Sequence, residues 1–188
     1  MTDFAERAPT PDELKQCFDL EQSMTPDVPE WEEQGFFLPG VTFATYEDLA
    51  QTGYARIVGA DARVESYILA APPGHAVLQR LLASSDKMIW FDPDHGLAPD
   101  NAYWIAKIAT ALDARRKGQA AALYDACFEA FPGATGLTAT AVSPKRNQVS
   151  EGFHRALGFR PCGLFLSGHR PGLGDVVNIV WQRPPASQ

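Results

Sequence analysis

A run of three cations, Arg115-Arg116-Lys117, stands directly before Gly118 and a segment whose apolar residues have helical spacing. The start of a helix exposes unpaired N–H groups and a partial positive charge, so each cation there should cost about 0.3–1 kcal/mol. A bound anion would remove this conflict, because phosphate oxygens accept the free N–H groups and neutralise the cations. The segment therefore predicts a phosphate site at the helix start. The alternative is a solvated basic face on a helix capped by Asp113.

A second group of polar residues is predicted to share one edge of a helix over residues 144–157. With a rotation of about 100° per residue, Asn147, Ser150 and His154 fall within about 60° of one another, beside an apolar sector. Histidine titrates near neutral pH, so this edge could bind a polar group and move a proton. The alternative is a surface helix on which Asn147 caps the first turn and the other two side chains face water.

The elements that must hold these residues alternate between helices and strands, which indicates one α/β domain with α+β character. Helices are predicted over 10–23, 45–53, 118–131 and 144–157, and strands over 54–58, 64–70, 103–112, 137–142, 159–166 and 176–181. The expected organisation is a loose tail over 1–9, a single domain over 10–183 with a longer loop and helix segment over 72–101, and a second tail over 184–188.

Composition narrows the classes of partner. The chain of 188 residues carries 16 Lys and Arg against 23 Asp and Glu, a net charge of −7, which argues against nucleic acid or an anionic membrane. No apolar run approaches the ~18 residues of a membrane-spanning helix, and no secretory signal is expected. Cys17, Cys127 and Cys162 are widely spaced and form no C-x-x-C motif, which predicts reduced thiols in a cytoplasmic protein. No metal site is predicted.

Two motifs resemble those of the GNAT superfamily of acetyl-CoA-dependent N-acetyltransferases. Residues 115–120 are similar to its pyrophosphate loop, Q/R-x-x-G-x-G/A, and residues 147–159 are similar to its later signature, N-x-x-S-x-x-F/L-Y/H-x-x-x-G-F. The resemblance extends over roughly 54–181. It implies the GNAT fold: a single domain with a mixed, twisted and splayed central β-sheet flanked by helices.

The resemblance also implies where acetyl-CoA would bind. The pyrophosphate would lie on the loop at 115–120, and the pantetheine arm would pair with the backbone near 109–112 like an added strand. Asn147 would hydrogen-bond this arm, with help from Ser150. The residues expected to bind the cofactor are Ala109, Thr110, Ala111, Leu112, Arg115, Arg116, Lys117, Gly118, Gln119, Ala120, Asn147, Ser150 and Phe153.

For catalysis, the resemblance implies a proton donor and leaves the base open. Many relatives have a tyrosine where His154 stands, and it protonates the departing thiolate, so His154 is the expected acid. An acceptor amine with a pKa of ~10.4 must lose a proton before it attacks, so a base or water chain is needed. The strand over 103–112 holds no carboxylate, and Ala106 or Lys107 occupies the position where relatives place one. Glu65 on the preceding strand is the predicted base; the alternative is an exposed strand residue.

The acceptor side is predicted in the stretch 27–37, which combines four carboxylates with three aromatic residues. An aromatic and acidic wall would attract a cationic amine by charge and by cation–π contact. Trp31, Glu33 and Phe37 are the expected substrate contacts. The alternative is a solvated loop with buried aromatic anchors.

The sequence is therefore interpreted as an acyltransferase that moves acetyl from acetyl-CoA to a primary amine by direct attack in a ternary complex. The acceptor is a small molecule or, alternatively, a peptide. A non-catalytic acyl-CoA-binding or regulatory module of the same fold is the main alternative, and a structural oligomerisation domain is the third. A homodimer is considered as well, and the identity of the acceptor stays open.

Overall fold

The computed structural model of the chain describes residues 5–25, 35–38, 40–60, 63–170 and 172–185. The helices in these ranges are α1 (Pro11–Gln22), α2 (Phe43–Thr52), α3 (Ala76–Ala83), α4 (Gln119–Ala130) and α5 (Gln148–Ala156). The strands are β1 (Tyr54–Ala60), β2 (Arg63–Ala71), β3 (Met88–Trp90), β4 (Ala102–Thr110), β5 (Thr135–Ser143), β6 (Arg160–Arg170) and β7 (Gly174–Arg183). A short 3-10 turn, Leu112–Ala114, joins β4 to the loop before α4.

The strands form one mixed sheet in the order β1-β2-β4-β5-β7-β6-β3. Neighbouring strands are antiparallel except β4 and β5, which are parallel and are joined through α4. This parallel pair meets only at Ala102↔Thr135, Tyr103↔Gly136 and Trp104↔Leu137. Beyond Trp104 the two strands share no further register pair, so a gap opens in the middle of the sheet. The predicted mixed, splayed α/β sheet is thus confirmed.

A bulge in β4 lies where this gap begins. On the β2 side, Leu69 pairs with Lys107 and Ala70 pairs with Ile105, so Ala106 has no register partner on β2. An extra residue of this kind bends a strand and increases its twist. The bend turns β4 away from β5, and it leaves the hydrogen-bonding edge of β4 facing the gap.

Two apolar cores hold α1, α2 and α4 on opposite faces of the sheet. On one face, α1 and α2 pack on β1 and β2 around Tyr46, Leu49 and Tyr67, all of which are almost fully buried. On the other face, α4 packs through its apolar stripe, and this core also holds Ile105, Phe159 and Trp181. The stripe predicted for α4 is confirmed by its buried residues Leu123, Tyr124 and Cys127.

Most predicted elements are confirmed with shifted ends. The helix predicted over 10–23 begins at Pro11, after a capping box that Thr10 and Glu13 form. The strand predicted over 103–112 ends at Thr110, and the helix predicted over 144–157 begins only at Gln148, after its cap Asn147. Pro171 and residues 61–62, between β1 and β2, lie outside the described residues.

The structure adds two features to the sequence-based description. Strand β3 pairs with β6 inside the segment 72–101, where only loop and helix were expected. Within the predicted tail 1–9, Arg7 forms two backbone hydrogen bonds with Ile57, of 3.1 and 2.8 Å, and its side chain pairs with Glu13. None of the described helices is both long and apolar enough to cross a membrane.

Candidate functional site

The gap between β4 and β5 contains a cavity of about 640 Å³. That volume lies within the range of about 300–1,000 Å³ that is usual for small-molecule sites. Its walls are the diverging segments 104–110 and 138–141, the start of α4, and one edge of α5. Lys107 belongs to the α1 face of β4, whereas Ile108 packs in the α4 core, so the lining reaches both faces of the sheet.

The start of α4 forms one end of the cavity, lined by Arg115, Arg116, Gly118, Gln119 and Ala120. Gly118 is the N-cap residue, with φ 90°, and it offers no side-chain hydrogen bond to the helix. In the described residues, the backbone N–H groups of 116–118 have no backbone acceptor. The first amides of α4 are also unpaired within the helix, as at every helix start. These donors and the two arginines make the end of the cavity suited to a diphosphate.

Backbone strain marks the same loop. Arg116 has φ 63°, and among the described residues it is the one non-glycine residue with positive φ. Left-handed backbone at a non-glycine residue is unfavourable and is typically found at ligand sites. Asp113, the cap of the alternative interpretation, forms a two-bond ion pair with Arg63 at 2.8 Å and does not cap α4. Lys117 is exposed and does not line the cavity.

Arg115 is held across the end of β4. Its Nε donates to the Thr110 carbonyl at 3.2 Å, and its Nη2 lies 3.7 Å from the Met24 sulfur. Burial lowers the pKa of its guanidinium from the usual value, yet an arginine keeps its charge at neutral pH. The charge is therefore fixed at the point where the gap meets the start of α4.

The edge of β4 provides backbone groups along the gap. In an antiparallel pair only every other residue bonds its neighbour, so alternate residues of 106–110 turn N–H and C=O away from β2. Of the predicted backbone contacts, Ala109 and Thr110 line the cavity. Ala111 and Leu112 line a second cavity of about 320 Å³ beside it. Ala111 N–H is bonded to the Glu65 carbonyl at 2.8 Å.

Helix α5 brings Asn147, Ser150 and Phe153 to the cavity wall. Asn147 is buried and caps the helix, because its Oδ1 accepts from the Ser150 N–H at 3.1 Å. Its Nδ2 donates to the Phe36 carbonyl at 2.9 Å, which ties the segment 35–38 to α5. The side chain therefore has a structural role in this conformation, with one lone pair and one proton left for a ligand.

His154 also lines the cavity, but it is 2% exposed and both ring nitrogens are engaged. Nδ1 lies 2.7 Å from the Ser150 carbonyl, and Nε2 lies 2.6 Å from the Tyr124 hydroxyl. Since a carbonyl only accepts, Nδ1 carries the proton and Nε2 accepts from Tyr124. Burial among aromatic rings, including a stacked Trp181, lowers the pKa of His154 to about 4. The imidazole is consequently neutral at pH 7.

The structure does not bring Glu65 and His154 together. Glu65 lines neither of the two cavities, and its carboxylate accepts from the Gln119 side chain at the start of α4. Glu65 thus lies beside the start of α4, and its prediction as the base gains no support from this position. Gln119 is itself buried, and its Oε1 has no hydrogen-bond partner in the part of the chain that is described.

A buried polar cluster on the other face was not predicted from the sequence. Lys107 Nζ donates to Glu21 at 2.9 Å, Tyr46 O–H donates to the same carboxylate, and the Tyr46 and Tyr67 hydroxyls are 2.7 Å apart. Glu21 is 1% exposed. Burial lowers the pKa of Lys107, and the neighbouring Glu21 opposes this shift. The signals in the sequence were a carboxylate at an apolar position of α1 and a lysine in the most apolar strand.

Of the predicted substrate contacts, Phe37 lines the cavity and its ring centroid is 5.3 Å from Lys107 Nζ. Trp31 and Glu33 lie outside the described residues. Over the described ranges, no group of three or more His, Cys, Asp or Glu residues could hold a metal ion.

Comparison with known proteins relates this chain to solved structures of acetyltransferases. Among solved structures, ribosomal-protein-S18-alanine N-acetyltransferase from Escherichia coli is 13% identical, with a TM-score of 0.64 over 99% of this chain and 96% of that one. A GNAT-family acetyltransferase from Streptococcus agalactiae is 18% identical, with a TM-score of 0.65 over 99% and 98%. Arabidopsis thaliana NAA60, solved with a bisubstrate analogue, is 10% identical, with a TM-score of 0.63 over 99% and 100%.

At these identities the structural matches show a shared fold. No curated protein matches the sequence. The sequence model of the acetyltransferase (GNAT) family, in contrast, matches residues 12–159, which is most of the chain and includes both motifs. The chain therefore belongs to the GNAT family of acetyltransferases.

Proposed function

We propose that the protein is an N-acetyltransferase that transfers the acetyl group of acetyl-CoA to a primary amine of a small molecule, by direct attack in a ternary complex. Membership of the GNAT family supports acetyl transfer from acetyl-CoA. The observation that carries the proposal is the gap between β4 and β5, which opens beside the unpaired amides and the arginines at the start of α4.

In this proposal the start of α4 binds the diphosphate of the cofactor. The amides of 116–118 and of the first turn donate to its oxygens, while Arg115 and Arg116 neutralise its charge. Ala120 and Ala121 keep the wall beside the loop small. Binding would also offset the strain at Arg116, since the ligand then fixes the conformation that the loop already has.

The arm of the cofactor would lie along β4, where alternate backbone groups of 106–110 face the gap. It would replace the β5 strand that diverges there, in the manner of an added β-strand. This path leads from the start of α4 to the bulge at Ala106. The thioester supplies the activated acetyl group. A backbone N–H at the bulge is suited to stabilise the negative charge that develops on the carbonyl oxygen.

His154 is proposed as a hydrogen-bond donor that stabilises the departing thiolate, and it keeps its Nδ1 proton, since a neutral imidazole that lost this proton would become an imidazolate. Its Nδ1 proton is on the side of Ser150, whose carbonyl is 2.7 Å away and whose hydroxyl is 3.3 Å away. Only modest help is needed, because a thiol has a pKa of ~8.5. The proposal requires the Nδ1 proton to leave the Ser150 carbonyl, so a purely structural role is the competing account of this histidine.

Proton removal from the acceptor is proposed to use Glu65 or a water chain. In this structure the Glu65 carboxylate accepts from Gln119 and does not line the cavity. Glu65 can therefore act as the base only if its side chain leaves Gln119 and turns into the cavity. A Glu65→Gln variant separates the two routes. It should lower kcat strongly if the carboxylate is the base, and it should leave kcat nearly unchanged if water is the base.

A second candidate function is a non-catalytic acyl-CoA-binding or regulatory module. The observation in its favour is that, among the described lining residues, none is an aspartate or glutamate that could act as a base. The module binds the same ligand at the same place, but it releases no thiol.

Titration calorimetry with acetyl-CoA, followed by a thiol-release assay with a panel of primary amines, tests both functions. The transferase predicts binding together with amine-dependent thiol release. Binding without turnover across the panel would favour the module. Absence of binding would remove both functions. We also propose a cytoplasmic location, on the negative charge and the three buried free cysteines.

A further inference from the structure

The end of the cavity away from α4 carries positive charge that the proposed function does not use. Among the described residues, four cations line the cavity: Arg115 and Arg116 at the start of α4, and Lys107 and Arg170 beyond the bulge. The described lining holds no aspartate or glutamate, although Lys107 is paired with Glu21 outside the lining and the whole chain has a net charge of −7. A cavity of this sign in an acidic protein attracts an anion.

Arg170 is the clearest sign of a missing partner. It is the last residue of β6, and its Nε is buried without a hydrogen-bond partner in the described ranges. A Cβ added at Gly40 would come within 3.0 Å of its Nη1, so the backbone there approaches the guanidinium closely. Buried donors are nearly always paired in native proteins, and an orphaned donor at a cavity wall points to a ligand.

Lys107 provides further hydrogen-bond donors near Arg170. An ammonium group has three N–H donors, and the described residues take up one of them, through Glu21 at 2.9 Å. Glu21 and Lys107 cancel each other in charge, which leaves the charge of Arg170 unopposed. Arg170 is close enough that its charge contributes to lowering the pKa of Lys107. A bound anion would relieve this repulsion.

A hydroxyl completes the wall. Ser167 and Asn178 both line the cavity, and Asn178 Nδ2 donates to Ser167 Oγ at 2.5 Å. The Ser167 oxygen therefore accepts, and its own proton remains available for a ligand. A guanidinium, an ammonium and a hydroxyl then stand at one end of the cavity, which is a donor set that suits a carboxylate.

We propose that Arg170 and Lys107 form a carboxylate subsite, so that the acceptor is an amino acid or a similar small amine with a carboxylate close to its amino group. The inference rests on the proposed function and specifies its substrate class. Lys107 directly follows the bulge at Ala106, where the arm of the cofactor would end. A carboxylate held there places a neighbouring amino group beside the acetyl group.

The test compares each of the common amino acids with its carboxamide, which keeps the amine and removes the negative charge. Thiol release is measured for the wild-type protein, Arg170→Met and Arg170→Lys, with Arg80→Met on the exposed side of α3 as the matched control. The acid should be used with a kcat/KM about 10- to 100-fold above that of its amide, because a charge-assisted hydrogen bond is lost in the amide.

In Arg170→Met the preference should disappear through a higher KM for the acid, with kcat/KM for the amide and affinity for CoA unchanged. Arg170→Lys should retain part of the preference for the acid over the amide, and Arg80→Met should retain the full preference. Equal or better use of the amide by the wild-type protein would overturn the subsite and indicate a peptide-like acceptor. So would an equal loss for acid and amide in Arg170→Met.

A binding measurement separates failure of the subsite from failure of the transferase. N-acetyl amino acids and their amides are titrated into the CoA-bound wild-type protein and into Arg170→Met. If no amine is turned over, but the N-acetyl acids bind the wild-type protein at least about 10-fold more tightly than the variant, the subsite stands and the transferase fails. If turnover occurs and neither assay distinguishes acid from amide, the transferase stands and the subsite is refuted.

Discussion

Replacement of Gly118 by aspartate should weaken cofactor binding strongly, through charge. The residue is the N-cap of α4, next to the unpaired amides of the loop. A carboxylate on its Cβ would stand close to the bound diphosphate. Two unit charges about 5 Å apart, at an effective dielectric constant of about 20, repel by about 3 kcal/mol. This corresponds to an affinity for CoA that is more than about 100-fold weaker.

Backbone strain must be separated from this effect, because Gly118 has φ 90°. Asparagine has the same shape as aspartate, tolerates left-handed backbone and has no charge, so Gly118→Asn should lose affinity only a few-fold. Gly133→Asp is the matched control for stability. Gly133 has φ 82° and nothing within 4 Å of an added Cβ, and it lies in the turn after α4. The Gly133→Asp variant should lose about 1–2 kcal/mol of unfolding free energy and should keep its affinity for CoA.

Calorimetric titration with CoA measures the affinity of each variant, and urea unfolding measures its free energy of unfolding. The reasoning is refuted if Gly118→Asp and Gly118→Asn bind CoA equally well while both are folded. It is also refuted if Gly133→Asp loses affinity to the same extent as Gly118→Asp.

Three further predictions concern stability, each measured by urea unfolding. Glu21→Gln leaves the Lys107 ammonium buried without its counter-charge and should cost about 3–5 kcal/mol, whereas Asp19→Asn, which breaks an exposed pair on the same helix, should cost under about 1 kcal/mol. Tyr124→Phe leaves His154 Nε2 without its donor and should cost about 1–3 kcal/mol; no change would show that water takes its place. Burial lowers the pKa of His154 to about 4 in the folded protein, from 6.5 ordinarily. Between these two pH values the unfolded chain therefore binds a proton that the folded protein does not. Stability should be level with respect to this group above pH 6.5 and fall by about 3 kcal/mol towards pH 4, and His154→Gln should remove that part of the pH dependence.

The sequence was sufficient to predict the local elements that carry the candidate site. A strand, a glycine and an amphipathic helix predicted the loop before α4, because each of these signals acts within a few residues. The apolar stripe on α4 could be predicted for the same reason. Strand β3 was not predicted, because it spans only three residues and is too short for a periodic pattern, and its pairing partner β6 is distant in the chain.

Pairings between distant residues explain most of what was missed. The ion pair between Glu21 and Lys107 joins residues 86 positions apart, and no local pattern links them. His154 satisfies the spacing of a site residue, yet its partner Tyr124 comes from another helix and keeps the imidazole buried and neutral. Helical spacing predicted the shared edge of α5, but it could not show which polar groups were already paired.

The brevity of the parallel contact between β4 and β5 has a mechanical consequence. With three register pairs between β4 and β5, the sheet consists of two blocks, β1-β2-β4 and β5-β7-β6-β3, that are hydrogen-bonded to each other at one end only. A molecule that formed hydrogen bonds to both blocks across the opening would supply pairs that β4 and β5 do not make with each other. Occupancy of the cleft and cooperative unfolding of the two blocks would then be linked through the same hydrogen bonds.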